Sequence, residues 1–304
     1  MEKTNILETK DLSFSFRKQN VLNRINMGVP QGSIYGYLGK NGAGKSTTIR
    51  LLLGLLNPPK GSIYFFGKEF NESRIEILPQ VGNLIESTSY YGNLTTYENL
   101  NYLNILLKCG KKRIEEVIDL VNLRNARNKK IKHFSTGMKQ RLGIAIAILH
   151  NPNLIILDEP LNGLDPEGVH DMRDLILNLQ KQGKTILLSS HILSEVEKVC
   201  THIGILDKGK LIYQGKTEQL LASVHRKVQL RVNNPEAASN LLINKSFASE
   251  TNADGLISVS IENDEKHNEL VRLLSENHID IYSIRPMDTD LESIFLTLTK
   301  SDKL

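Results

Sequence analysis

Eight consecutive residues, Gly39-Lys40-Asn41-Gly42-Ala43-Gly44-Lys45-Ser46, have the composition and spacing of a phosphate-binding loop, with a Lys-Ser pair directly after the second key glycine. A polyphosphate carries several negative charges. A tight glycine-rich turn lets successive backbone N–H groups converge on them with no Cβ atoms in the way. Lys45 adds a point charge toward the outer phosphates, and Ser46 offers a hydroxyl to Mg²⁺. The helix opened here, which continues through Thr47, turns its positive dipole end toward the same anion. The bare pattern arises by chance in roughly one chain in a hundred of this length, so the setting decides its meaning. An apolar strand-like run, Ile34 to Leu38, precedes the loop, and a helical run, Lys45 to Leu56, follows it. That is the strand, loop and helix order the motif requires.

A second group of chemical residues lies further on. Leu154 to Leu157 is a continuous apolar run of the kind buried on both faces of a parallel sheet, and it ends at Asp158-Glu159. Adjacent carboxylates at the C-terminal end of such a strand are costly unless they face a metal or a cleft. The strand Thr185 to Ser189 leads to Ser190-His191. Phe134 to Arg141 reads as a polar, glycine-containing loop leading into an apolar helix, Leu142 to Leu149. Phe16, in an early strand, is placed to stack on a nucleotide base if phosphates lie on Gly39 to Ser46.

The elements that must hold these residues alternate between strand and helix, which indicates a mainly parallel α/β sheet. Ile6 to Phe16 and Val21 to Met27 read as strands. Asn57 to Gly61 breaks the chain before a short strand, Ser62 to Phe66, and Val81 to Glu86 is another strand. Leu94 to about Asn128 turns helical: Thr95 or Thr96 caps a helix to Leu107, and a second helix runs from Lys111 or Lys112 to Leu123. A helix from Pro166 to Gln182, another from Ser194 to Cys200, and strands at Ile203 to Leu206 and Lys210 to Gln214 close the first domain. Beyond Val224 the pattern is that of a small βαββαβ sandwich. Leu291, Ile294, Phe295 and Leu298 then give the C-terminal end an apolar helical face.

At 304 residues the chain favours two domains. A hydrophobic content of 40% with 24% charged residues is ordinary for a globular protein, and a dispersed net charge of +4 does not argue for nucleic acid. Cys109 and Cys200 have no His or Cys at metal-ligand spacing and read as reduced thiols of a cytosolic protein. No apolar run has the length of a membrane span, and the first residues lack a signal-peptide core.

Taken in order, the phosphate loop, Ser135 to Arg141, Leu154 to Pro160, Leu161-Asn162-Gly163-Leu164-Asp165-Pro166 and Ser189-Ser190-His191 resemble the ATP-binding subunit of an ABC transporter over about residues 5 to 215. The resemblance implies an α/β P-loop NTPase of ABC type: a mainly parallel sheet, an antiparallel β subdomain and a helical subdomain at about 88–150. Together these make a domain spanning 1–223, followed by a small α+β domain over 224–304. It implies ATP and Mg²⁺ as ligands. Gly39 to Ser46 then correspond to the Walker A loop, Phe16 to the base-stacking aromatic, and Asp158 to the Mg²⁺-associated aspartate. Glu159 corresponds to the general base and His191 to the histidine that holds the γ-phosphate and the water. Ser135, Gly137 and Met138 belong to the signature loop, which serves the nucleotide held by the opposite subunit. The partners implied are integral membrane permease subunits and a second ATPase copy, identical or different, with no nucleic acid. The chain would then sit on the inner face of the cell membrane.

Three positions depart from the family pattern. Thr136 stands for the first signature glycine with Met138 after Gly137, and Lys40 stands for the usual proline. Glu86 occupies the place of a metal-sensing glutamine, Gln80 being out of register. With Tyr90 to Thr95 and Glu98 to Leu100, Glu86 resembles the subgroup that expels bacitracin and lantibiotics, in resistance and immunity. The competing class is a soluble relative acting in DNA repair or on the ribosome; those carry coiled-coil insertions or two cassettes in one chain, which this sequence lacks.

Overall fold

The computed structural model describes residues 4–17, 19–85, 90–223, 226–252, 254–261, 264–287 and 290–300. The chain divides into two compact units, Met1–Thr217 and Glu218–Leu304. The division falls within the short helix Thr217–Ser223, after its first residue.

The first unit is organised by a six-stranded sheet. In spatial order its strands are Lys210–Lys216, His202–Asp207, Ile34–Gly39, Thr185–Ser190, Leu154–Asp158 and Val81–Leu84. All neighbours are parallel except the Lys210–Lys216 edge, which returns antiparallel. Ile34–Gly39, Leu154–Asp158 and Thr185–Ser190 are buried at every position, as expected of central strands covered on both faces. Two of the largest buried side chains, Tyr35 and Tyr37, sit in the strand that feeds the phosphate loop. Tyr35 donates to Gln214 Oε1 at 2.9 Å, and the Tyr37 hydroxyl lies 3.2 Å from Thr48 Oγ1. Burial pushes both phenols up, so neither ionises near neutral pH.

Four short strands, Gly28–Pro30, Asn5–Thr9, Ile63–Phe65 and Lys68–Glu69, form an antiparallel sheet, and Leu12–Phe16 pairs with Gln19–Ile25 as a hairpin. The sequence reading of one strand from Ile6 to Phe16 is therefore corrected. Asp11 takes a left-handed φ of 45°, and the chain changes sheets there. The helix after the phosphate loop is Lys45–Leu52 and does not reach Leu56: Gly54, at φ 65°, donates to Leu51 O and ends it.

Thr96–Leu107 and Lys111–Leu120 pack on each other and on Thr136–Ile148. Thr95 caps the first of them in a reciprocal capping box with Glu98, and the backbone N–H and hydroxyl of Thr95 hold the Glu98 carboxyl below the usual carboxylate range. Thr136–Ile148 lies against Val81–Leu84 at Gly82, where a Cβ atom would stand 2.1 Å from Ala147 O and 2.8 Å from Pro152 Cγ. A backbone carbonyl cannot give way. Gly82→Ala is expected to destabilise the first unit by about 1–3 kcal/mol through overpacking, read as a fall of several degrees in the melting temperature.

The second unit runs Arg226–Val232, Pro235–Asn244, Ser249–Thr251, Ile257–Ile261, Asp264–Glu276, Ile281–Met287 and Leu291–Lys300. Its four strands are antiparallel in the order Ser249–Thr251, Ile257–Ile261, Arg226–Val232, Ile281–Met287. Val228, Leu230, Val232, Ile257, Val259 and Ile261 supply one apolar face, which packs with Ala238, Leu242, Leu270 and Leu274 of the two intervening helices. In the terminal helix Leu291, Ile294 and Phe295 are buried.

Candidate functional site

The parallel sheet brings three strand ends to one place. Ile34–Gly39 ends in the phosphate loop, Leu154–Asp158 ends at Glu159, and Thr185–Ser190 ends at His191. Register does the rest: Ser189 pairs with Asp158, and Ser190 with Leu38. An open cleft of about 340 Å³ results, lined by Val21, Lys40, Asn41, Gly42, Gly44 to Thr47, Glu159, Asn162 and His191.

The loop is shaped by glycines in conformations other residues avoid. Gly42 has φ 81° and Gly44 φ 112°, and a Cβ on Gly44 would lie 2.6 Å from Leu22 Cδ2. Lys45, only 7% exposed, donates from Nζ to Gly39 O at 2.7 Å and lies 3.7 Å from Glu159 Oε1. The other Glu159 oxygen, Oε2, is 2.8 Å from His191 Nδ1. Glu159 therefore links two groups that arrive from separate strands. It does so with a left-handed φ of 50°, a conformation that costs a non-glycine residue about 1–2 kcal/mol and is characteristic of functional sites.

Asp158 stands behind Glu159, 6% exposed, and accepts a hydrogen bond from Ser189 Oγ. The same Ser189 Oγ accepts from the Glu159 N–H at 3.0 Å. Ser189 thus orients both carboxylate residues, a role that sequence reading missed although the residue adjoins Ser190-His191. The available signal was its place at the end of a neighbouring buried strand. Ser189→Ala leaves the Asp158 oxygen and the Glu159 N–H unpaired; steady-state turnover at this cleft is expected to fall about tenfold with the fold intact, given about 1–3 kcal/mol per orphaned buried group.

Val21 and Asn162 were also missed as cleft residues. Val21 comes from the Gln19–Ile25 strand, and Asn162 from the loop in which its N–H donates to Glu159 O at 3.1 Å. Phe16 does not line the cleft. It stands 45% exposed on the strand paired with Gln19–Ile25, edge-on to Phe14 with ring centroids 5.0 Å apart. Glu86 lies outside the described residues; Gln80, in a single turn before the Val81–Leu84 strand, donates to Glu76 O instead.

The structure corrects the reading of Phe134 to Arg141 as a loop. Ser135 is the N-cap of Thr136–Ile148, its Oγ accepting from Met138 N–H at 3.3 Å, so Thr136, Gly137 and Met138 form the first helical turn. These residues do not reach the phosphate loop of their own chain. They line a second cleft of about 390 Å³ with Arg141, Gly163 to Asp165, Glu167, Gly168 and Asp171. Arg141 pairs with Asp171, tying this helix to Pro166–Lys181, and Arg113 donates to Ile148 O and Leu149 O at its far end.

Ser46 supplies a hard oxygen donor to the cleft and Asp158 another, buried beside Glu159, and no cluster of three or more His, Cys, Asp or Glu side chains suited to a metal exists among the described residues. This donor set fits Mg²⁺, which takes one or two protein oxygens and completes its shell with phosphates and water.

Comparison with known proteins places the chain. The ABC transporter domain profile matches residues 22–162. Over 300 residues the chain is 41% identical to the bacitracin transport ATP-binding protein BcrA of Bacillus licheniformis, covering 97% of each. It is 41% identical to the lantibiotic transport ATP-binding protein SrtF of Streptococcus pyogenes over 209 residues, which is 69% of this chain and 90% of that one. Among solved structures, the ATP-binding subunit of an ABC transporter, 33% identical, aligns with a TM-score of 0.64 over 71% of this chain and 91% of its own. The strand-end cleft and its phosphate loop, set beside these matches, show that the chain belongs to the ATP-binding subunits of ABC transporters and hydrolyses ATP.

Proposed function

We propose that this ATPase powers the expulsion of an antimicrobial peptide of the bacitracin type through separate membrane subunits. The observation that carries the reading is the extent of the match to BcrA, 97% of both chains, second unit included. The lantibiotic relative aligns over a length close to that of the first unit alone. No helix among the described residues is long and apolar enough to cross a membrane. The soluble alternative finds no support: the longest helix among the described residues has 16 residues, too short for a coiled-coil insertion.

In this reading the Gly42 to Lys45 N–H groups and the Lys45 ammonium hold the phosphates, and Phe16, exposed on the hairpin outside the phosphate cleft, stacks on a base that extends beyond it. Ser46 and Asp158 would hold Mg²⁺, which would supply charge neutralisation for the phosphates. Glu159 takes a proton from the water that attacks the γ-phosphorus in line, the bond to the bridging oxygen breaks, and ADP departs with the electron pair. His191, already hydrogen-bonded to Glu159, orients that water. Ser135, Gly137 and Met138 of a second copy close the cleft, because within one chain they line a different one. Glu86, two residues beyond Val81–Leu84, passes the nucleotide state to a membrane subunit; Glu86→Gln is expected to disturb coupling between turnover and resistance more than nucleotide affinity.

The test is a growth assay in cells expressing the chain with its permease, challenged with bacitracin or with a lantibiotic. Protection against bacitracin that vanishes with Glu159→Gln supports the reading. Protection against lantibiotics alone overturns the substrate class, and protection against neither, with ATPase activity intact, overturns peptide export.

A further inference from the structure

One loop borders both clefts. Asn162 lines the nucleotide cleft, while Gly163, Leu164 and Asp165 line the signature cleft, so consecutive residues form a shared wall. In the shared-site reading, a two-fold dimer sets the nucleotide cleft of one copy against the signature helix of another, twice per dimer.

The two rims carry opposite charge. Lys40 is exposed on the nucleotide rim, and among the described residues it makes no ion pair. Its backbone takes part in the loop, Lys40 O accepting from Ala43 N–H at 3.0 Å. Three carboxylates border the signature cleft. Asp165 accepts from Gly168 N–H at 2.8 Å as a helix cap, and Asp171 is paired with Arg141. Glu167 is exposed in the first turn of Pro166–Lys181 and has no ion pair among the described residues.

We propose that Lys40 of one copy pairs with Glu167 of a second copy across the nucleotide, twice per dimer, and fixes the register in which the two clefts close. The proposal rests on the reading that the site is shared between two chains. It assigns a purpose to a lysine that the phosphate cradle itself does not need, since the cradle is made from backbone N–H groups and Lys45. Charge pairs at a rim set partner choice and encounter rate, and salt weakens them.

The experiment measures dimer dissociation of the full chain by analytical ultracentrifugation at saturating ATP, in the Glu159→Gln background, at low and high ionic strength. Lys40→Glu and Glu167→Lys are each expected to weaken the low-salt dimer roughly tenfold, from two rim pairs lost and two repulsions gained, with little effect at high salt. The double variant Lys40→Glu with Glu167→Lys is expected to return to within about twofold of the parent, because both pairs are restored in reverse. Melting curves and ATP titration of each variant separate a folding or nucleotide defect from a dimer defect. Dimers that form in the parent but show additive, unrescued losses in the double variant overturn the pair alone. A parent that stays monomeric with ATP overturns the shared-site reading and the pair with it.

Discussion

Glu159→Gln is expected to reduce ATP turnover by about 10²- to 10⁴-fold, the range a positioned general base contributes, while ATP is still bound. The side chain keeps its shape, so the left-handed turn at φ 50° and the bond from its N–H to Ser189 Oγ remain. What disappears is the basic carboxylate that lies 3.7 Å from Lys45 Nζ and 2.8 Å from His191 Nδ1. Glutamine offers an amide oxygen to one neighbour but cannot accept a proton from water. Phosphate release gives the rate, and fluorescent nucleotide titration gives the affinity. Turnover near the parent value refutes the base assignment. A matching loss of affinity shows instead that Glu159 acts by holding Lys45 and the loop.

The second large effect separates the two half-sites. Lys45→Ala removes the buried ammonium from the nucleotide cleft, and Ser135→Glu sets a carboxylate where a phosphate is to be received. Each is expected to lower turnover about 10²- to 10³-fold, as for loss of one preorganised charge-stabilising group. Ser135→Glu also weakens a helix cap, at about 1 kcal/mol, too little to unfold the unit. Mixed together, the two variants are expected to regain about a quarter of parent activity, because half of the two-fold dimers are mixed and one of the two sites in each has both halves intact. If the mixture does no better than its separate components, the site is complete within one chain. Recovery is possible only if Ser135 of one copy serves Lys45 of another, which agrees with the signature helix lining a cleft without any phosphate-loop residue.

Much of the site was legible in the sequence because its parts are local. A phosphate loop is a contiguous run whose glycines and Lys-Ser pair are dictated by the geometry of backbone N–H groups around an anion, and Asp158-Glu159 is marked by two carboxylates ending an apolar strand. The family, the ATPase activity and the α/β fold follow from such runs in order. Where several side chains must meet, linear order says little. His191 reaches Glu159 only because Thr185–Ser190 runs parallel beside Leu154–Asp158, and the pairing of Ser189 with Asp158 makes that serine an orienting group. Phe134 to Arg141 read as a loop because the run is polar and contains a glycine, yet the capping bond to Met138 starts the helix at Thr136. The strand expected from Ile6 to Phe16 splits because one left-handed residue, Asp11, sends its halves to separate sheets. The sequence by itself marked the phosphate loop and the Asp158-Glu159 pair as residue types able to carry the chemistry, since such types are fixed by the charges they would meet. Only the tertiary structure decided which of them share a cleft, because strand register and a loop shared by two clefts are set by packing between segments far apart in the chain.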